Sequence, residues 1–376
     1  KRWMWVDQFA VRGGFGYTGS IDKNALPFVV MTLGQSVIYD GQTVPTSFSY
    51  PNPNVKWQTK QDMNVGLDLS LFDYRLELGV NYYNNITRDV LDRKALPYSS
   101  GRSEVTENVA DIYNSGWEID LGVTLLKNKS FQWYAKANIA INDNKVKNTY
   151  YKDTKDLPKA TLSNAHQFVE NQPVNGWYGY KFAGINPING AVMTYTGNGE
   201  ATLDMSVSGA TWPIPSVFYL GNLTPPVVGG FSTSANWKQL IFSANFEFKT
   251  GHKIKSFNTF RSLDARNRHT SEANRWREPG DITNVPAMSE AFTTYSSYMY
   301  DILLEKGNYL RCSYMTLGYN LKPEWLHKIG FSTARLSFTA KDLFTVSSYS
   351  GIDPALMGSF GYPNSRKYTI TLNVGF

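Results

Sequence analysis

Apolar and polar residues alternate with a period of two in one segment after another of this 376-residue chain. Residues 62–71 put Met63, Val65, Leu67, Leu69 and Leu71 on one face, with Asp62, Asn64, Gly66, Asp68 and Ser70 on the other. Residues 75–83 set Leu76, Leu78, Val80 and Tyr82 against Arg75, Glu77, Gly79 and Asn81. Residues 116–125 set Trp117, Ile119, Leu121, Val123 and Leu125 against Glu118, Asp120 and Thr124, and residues 132–142 set Trp133, Ala135, Ala137, Ile139 and Ile141 against Gln132, Lys136, Asn138 and Asn142. A period of two marks a strand with one apolar and one polar side. Weaker copies run over 6–17, 227–236, 240–250, 308–321 and 333–345. The chain ends on KYTITLNVGF, where Tyr368, Ile370, Leu372, Val374 and Phe376 share a face. The pattern predicts about ten strands, each near the ~9–11 residues a tilted membrane strand needs.

The connections decide the class. FDY, LKNKS and WKQ are tight turns, and KPEWLHKIGFST is a medium one. The others are long, over 18–59, 91–115, 143–226, 254–307 and 346–365. Short and long connections therefore alternate, as they do in an outer-membrane barrel with short periplasmic turns and long extracellular loops. A secreted β-sandwich or propeller is the competing fold, and loops of this length are rare in compact soluble domains. In phase with this pattern, the last strand runs inward and Phe376 lands at the periplasmic rim. Phe72, Tyr74, Trp117, Phe131, Trp133, Trp237 and Tyr319 fall near strand ends, where interfacial aromatic girdles sit.

Composition agrees with this picture. The chain is 42% hydrophobic, 15% aromatic and 18% charged, with Tyr 24 ahead of Phe 21, so much of the aromatic surface carries a polar tip suited to an interface. No run of about 18 apolar residues occurs, which excludes a transmembrane helix. The mean hydropathy of -0.35 does not exclude barrel strands, because only every second residue faces lipid. The single Cys312 excludes an internal disulfide framework and a cysteine-based zinc site. The net charge of +6 comes without a dense basic run, so nucleic acid is not an expected partner. The sequence opens on KRWMWVDQFAVRGGFGYTG without an initiator Met or a signal peptide, and a C-terminal piece of something longer is expected.

The stretch NPNVKWQTKQDMNVGLDLSLFDYRLELGVNYYNNITRDVL resembles the barrel of SusC/RagA-type TonB-dependent transporters. NVADIYNSGWEIDL is similar to that family's Asn…Asn-x-Gly-x-Glu strand, here Asn108, Asn114, Gly116 and Glu118. YGYKFAGINPING, RWREPGD, YLRCSYMTLGYNL, LFTVSSYSGIDP and YPNSRKYTITLNVGF match further stations in the family's order. Asp342 stands where the family commonly has Asn, and Ala355 where an acid often follows Asp-Pro. The resemblance covers essentially the whole chain. It implies an all-β transmembrane antiparallel barrel of about 22 strands with a plugged lumen, of which this chain is the C-terminal portion. A ten-stranded barrel closed on itself stays open on strand count alone.

The resemblance further implies active import of oligosaccharides or oligopeptides across the bacterial outer membrane. Implied partners are TonB (through a segment that precedes the barrel), a SusD-like surface lipoprotein, outer-membrane lipid and a possible second transporter–lipoprotein pair. Tyr368, Ile370, Leu372, Val374 and Phe376 are similar to the terminal signal read by the barrel assembly machinery, and this strand would close the barrel against the first one. A passive porin or adhesin-like barrel is the alternative function, and a soluble glycan-binding β-protein a third.

No catalytic motif survives scrutiny. GFGYTG at Gly14–Gly19 fits G-x-G-x-x-G literally, but no helical period follows, so these are read as strand glycines. Glu118 and Asp120 are about 7 Å apart on one face, a separation compatible with an inverting glycosidase. They are read as lumen carboxylates beside Asp62, Asp68 and Glu77. His166, His252, His269 and His327 lie far apart and form no metal spacing, and neither an enzyme nor a cofactor is expected. The long loops hold the candidate substrate-binding residues: Trp177, Tyr178 and Tyr180 in NGWYGYKF, and Arg275, Trp276 and Arg277 in NRWREPGD. Exposed aromatics offer flat faces to sugar rings or peptide side chains, and Arg offers planar hydrogen bonding. The competing role for these aromatics is to pack the loops together or against a partner lid.

Overall fold

The computed structural model describes residues 5–20, 28–39, 42–49, 52–100, 104–154, 168–202, 217–256, 273–288, 300–326, 330–357 and 361–376. Among them the strands are, in chain order, β1 (Val6–Ser20), β2 (Val30–Tyr39), β3 (Gln42–Ser49), β4 (Gln58–Leu71), β5 (Leu76–Ala95), β6 (Glu104–Lys127), β7 (Phe131–Lys147), β8 (Gly176–Gly179), β9 (Phe182–Ile185) and β10 (Val192–Tyr195). There follow β11 (Ala201–Thr202), β12 (Phe218–Asn222), β13 (Val227–Trp237), β14 (Leu240–Thr250), β15 (Lys253–Lys255), β16 (Leu304–Lys306), β17 (Tyr309–Asn320), β18 (Thr333–Ser347) and β19 (Lys367–Gly375). Ten of these, β1-β4-β5-β6-β7-β13-β14-β17-β18-β19, form one antiparallel meander. They are the ten strands expected from the alternation, and GFGYTG lies within β1 as expected.

Register keeps the two faces apart across the sheet. Asp68, Gly79, Asp120, Asn138, Gly230, Glu247, Arg311 and Thr345 stand opposite one another in one row from β4 to β18. The adjacent row is Leu67, Val80, Ile119, Ile139, Gly229, Phe248, Leu310 and Val346. A one-residue slip anywhere would exchange these faces, so their opposite polarity fixes the register. The apolar face lies bare: Phe9, Val11 and Phe15 on β1 and Tyr368, Ile370 and Leu372 on β19 are 60–74% exposed. A continuous bare apolar belt of this extent fits a hydrocarbon solvent and not water. The polar face encloses a hollow of about 670 Å³ lined by Arg12, Asp68, Glu77, Glu118, Asp120 and Lys136. The two carboxylates singled out from sequence are engaged there: Asn81 donates to Glu118 at 3.2 Å, and Lys136 lies 3.9 Å from Asp120.

Two points are decided, the second of them a correction. The first is the ten-stranded ring left open on strand count. β19 pairs with β18 and β1 with β4, but not with each other, so the ten strands form an open sheet rather than a ten-stranded ring. Barrels of about eight strands are filled by their own side chains, whereas this inner face leaves a polar hollow that ten strands do not fill. Phe376 does lie at the short-turn end, its ring 5.1 Å from that of Phe331. The second is the connection expected over 91–115. β5 and β6 run on as a hairpin until only 96–103 separate them. The alternation hides this extension because the register shifts between Thr87 and Val90, with Asp89 in the left-handed region at φ 56°. A bulge inserts one residue and exchanges the faces beyond it.

The Asn-x-Gly-x-Glu segment stitches these strands. The Asn108 side chain accepts from Lys56 N at 2.8 Å and donates to the carbonyls of Lys56 at 3.1 Å and Asp89 at 2.5 Å. At Gly116 a Cβ would lie 2.4 Å from both the Ile141 carbonyl oxygen and the Tyr83 hydroxyl, so the Tyr83 ring fills the place a side chain would occupy. Tyr83 then donates to Asn142 at 2.7 Å. Gly116→Ala is expected to destabilise the sheet by roughly 1–3 kcal/mol through overpacking against backbone. The measurement is the heat-modifiable mobility shift of the purified barrel, and an unchanged transition would refute the close fit.

Candidate functional site

All long connections leave from one end of the sheet, opposite the tight turns, and two of them fold on each other. The β7–β13 connection carries β8 to β12, and the β14–β17 connection carries β15, β16 and residues 273–288. Their shared core holds Val169, Tyr178, Tyr180, Ile185, Val192, Val217, Tyr300 and Leu303. Tyr180 bridges Tyr300, with Asp301 N donating to the Tyr180 carbonyl at 3.0 Å and Phe182 N donating to the Asp301 carboxylate at 2.9 Å. A core inside loops is unusual, and it makes this loop pair a small folded unit.

The two regions singled out from sequence do come together, but not as exposed aromatic faces. Tyr178 and Tyr180 are 2% and 1% exposed, so of the two roles weighed for them they take the one that packs the loops together. Tyr178 lies on short strand β8, paired with β12, and Tyr180 follows that strand and bridges Tyr300 of the second loop, where large rings bury most area. Trp177 and Trp276 are half-buried. The Trp177 indole donates to the Lys253 carbonyl at 2.9 Å, joining the two loops. The Trp276 indole donates to the Pro187 carbonyl at 3.1 Å, and its ring lies 2.5 Å from where a Cβ of Gly190 would stand. Gly280 N and Ala287 N donate to the Pro187 and Gly190 carbonyls at 2.8 and 2.9 Å. GINPING and RWREPGD are therefore the two halves of one clasp. Arg277 is exposed and donates to the Ala273 carbonyl at 2.8 Å, while Arg275, half-buried, bridges Val285.

Sequence reading missed what fastens the loops to the sheet. Arg311 Nη2 lies 2.5 Å from Asp353 Oδ1, with both side chains under 10% exposed, and Arg311 Nε donates to Thr345 at 3.1 Å. Asp353 also accepts from Ala355 N at 2.9 Å, capping the turn at Pro354–Leu356. Beside it, Glu305 accepts from Ser350 N at 2.7 Å and from the Ser350 hydroxyl at 2.6 Å. The SGIDP motif hinted at a turn, but its partner lies 42 residues away.

Two titrating groups sit in this loop unit. Burial, with Lys249 adding to it, holds the His252 imidazole below its ordinary value. Burial would raise Glu305, but hydrogen bonds from Ser256 and Ser350 outweigh it, and its carboxyl is held below the usual range. Both depressed values stabilise the fold at neutral pH. The His252 contribution is lost as pH falls below about 6.5, and that of Glu305 below about 4.3. Amide exchange in residues 251–256 and 304–307 is therefore expected to quicken from pH 7 to pH 5, and pH-independent exchange, after correction for intrinsic rates, would contradict this. His166, His269 and His327 lie outside the described residues. Among the described residues no cluster of His, Cys, Asp and Glu with metal-binding geometry occurs.

An open polar-and-apolar sheet, bare on its apolar face and capped at one end by folded loops, is the wall of a membrane-spanning outer-membrane β-barrel. Residues 2–248 match the family described as TonB dependent receptor-like, beta-barrel, and the chain belongs to that family. Across its whole length it is 28% identical to TonB-dependent receptor P3 of Formosa agariphila, of which it covers 39%. It is 22% identical to TonB-dependent receptor SusC of Bacteroides thetaiotaomicron, with 99% of the chain and 38% of SusC aligned. Among solved structures it superposes on the RagAB peptide transporter with a TM-score of 0.77 at 24% identity, covering 99% of this chain and 41% of that one. A second RagAB structure, the peptide importer in its open-open state, gives 0.76 at 26% identity, with 99% and 40% covered. The chain thus spans about two-fifths of the length of the relatives it matches.

Proposed function

We propose that this chain forms the last ten strands of a plugged barrel of about 22 strands that actively imports large nutrients, oligosaccharides or oligopeptides. TonB would act through a segment preceding the barrel, and a SusD-like surface lipoprotein would lie over the loops. The observation that carries this reading is the folded loop unit. A passive pore gains nothing from a buried core inside its loops, whereas a capture surface needs rigid loops that hold one shape. The relatives support it: one is named SusC, and the superposed structures are named as a peptide transporter and a peptide importer.

On this reading the long loops are extracellular, and the terminal strand with Phe376 addresses the barrel assembly machinery and pairs with the first strand of the complete barrel. Outer-membrane lipid covers the apolar belt, and two transporter–lipoprotein pairs associate. Cargo contact falls on the outer surface of the clasped loops, with Arg275 and Arg277 offering hydrogen bonds beside the half-buried rings of Trp177 and Trp276. Tyr178 and Tyr180 act from beneath by fixing the loop shape. The test is growth of the source bacterium, with this gene deleted, on defined glycans or peptides as sole nutrient, beside a strain lacking TonB. Loss on the same nutrient in both strains is expected, and TonB-independent uptake through this protein would overturn the reading.

A further inference from the structure

Where β13 begins at Val227, opposite Ile141, strand β7 continues paired with β6 on one side only, and loop segments 171–175 and 222–226 cross its other edge. Between them lies a pocket of about 520 Å³, within the ~300–1,000 Å³ range of small-ligand sites. Its lining sets asparagine amides among the apolar surfaces of Ile112, Val174, the Tyr219 ring and prolines 173, 225 and 226. The lining carries one carboxylate, Asp143, which Lys145 engages at 2.7 Å, so the pocket presents no unbalanced charge.

The amides are oriented by their oxygens. Asn142 Oδ1 accepts from the Tyr83 hydroxyl at 2.7 Å. Asn222 Oδ1 accepts from the Tyr219 hydroxyl, which burial pushes up to about 12 and so keeps protonated. Asn171 Oδ1 accepts from Lys147, and Asn144 Oδ1 from Val174 N at 2.8 Å. Thr224 Oγ1 accepts from Asn175 at 3.2 Å. Among the described residues the NH₂ groups of Asn142, Asn171 and Asn222 have no acceptor. The pocket therefore offers side-chain donors, while its neutral side-chain acceptors are largely engaged. An extended peptide entering it would bring one N–H for every C=O, and each buried N–H left unpaired costs about 1–3 kcal/mol. A sugar fits better. Its ring and glycosidic oxygens only accept, and each hydroxyl can accept from an amide while turning its own proton to solvent. The Tyr219 and proline faces suit the apolar face of such a ring.

From this we infer that the pocket is a subsite for an uncharged sugar unit of the cargo. The inference rests on the import reading and selects the glycan class within it. The test is calorimetric binding by the whole transporter, with its lipoprotein, to a panel of neutral oligosaccharides, their uronic-acid counterparts and a mixed peptide pool. N142D and N222D keep the oxygen that each tyrosine needs and replace the donor with a second acceptor. Neutral oligosaccharide binding is expected, weakened about tenfold by each substitution, with thermal unfolding unchanged. Absence of neutral-sugar binding, binding of peptides alone, or equal affinity in the double variant would overturn the subsite. None of these results alters TonB-dependent growth, which tests the import reading separately. If a variant unfolds, N222Q, which retains the amide but displaces its donor, supplies the same comparison.

Discussion

Asp353→Ala is expected to destabilise the folded barrel by about 3–5 kcal/mol, because it leaves the Arg311 guanidinium buried without its counter-charge. Arg311 is 5% exposed, and Asp353 engages it at 2.5 Å while also capping the following turn. The cost comes from breaking the pair, not from lacking one. Replacing both residues with apolar side chains of similar volume, R311M with D353L, is expected to recover most of the loss, since a buried ion pair is often matched by well-packed apolar groups. Denaturant unfolding of the single and double variants in detergent measures both. A single variant as stable as the parent would show that the pair is solvated in the assembled protein. The same substitution should release residues 348–357 from the sheet, read as faster amide exchange there.

The second large effect is expected at Gly190. Its φ of 74° disfavours any side chain, and a Cβ would stand 2.5 Å from the Trp276 ring and 2.6 Å from Ala287. Gly190→Val adds a branched side chain to both problems and is expected to cost the loop clasp roughly 2–5 kcal/mol. Because the clasp closes one loop onto another, and not the sheet on itself, the wall should stay folded. The expected signature is therefore local: protease sites open in 187–190 and 275–287, and cargo affinity falls, while the heat-modifiable mobility of the barrel is retained. A loss of barrel assembly would mean that the loop unit folds first and templates the wall. Unchanged proteolysis would mean that GINPING and RWREPGD are not partners.

The wall was legible in the sequence because the sheet faces two solvents. Where hydrocarbon meets one side and a polar hollow the other, every strand must alternate, and all ten strands show it. Legibility failed where local geometry breaks the period. At Asp89 a left-handed residue shifts the register and hides the outer part of β5 and β6. Asp342 marks a similar place, with a φ of 50° beside the shift between Cys312 and Tyr314. That position tolerates Asn or Asp better than most residues, so Asp342 suits the local backbone. Inside the loops the sequence marked the right segments but not the direction of their side chains. Nothing in NGWYGYKF distinguishes Tyr178, buried, from Trp177, half-exposed, until β8 is paired with β12. The asparagines of INDNKVKN and LGNLTPP look like ordinary turn residues, and only the hydrogen bonds of Asn142 to Tyr83 and of Asn222 to Tyr219 show which way their amides point.

The most direct test of the importer reading is the intact mass of the protein extracted in detergent from outer membranes, with co-purifying chains identified. The account predicts a barrel chain far heavier than the 42.4 kDa of this sequence, accompanied by a surface lipoprotein. A lone chain of 42.4 kDa would contradict the plugged, TonB-driven mechanism.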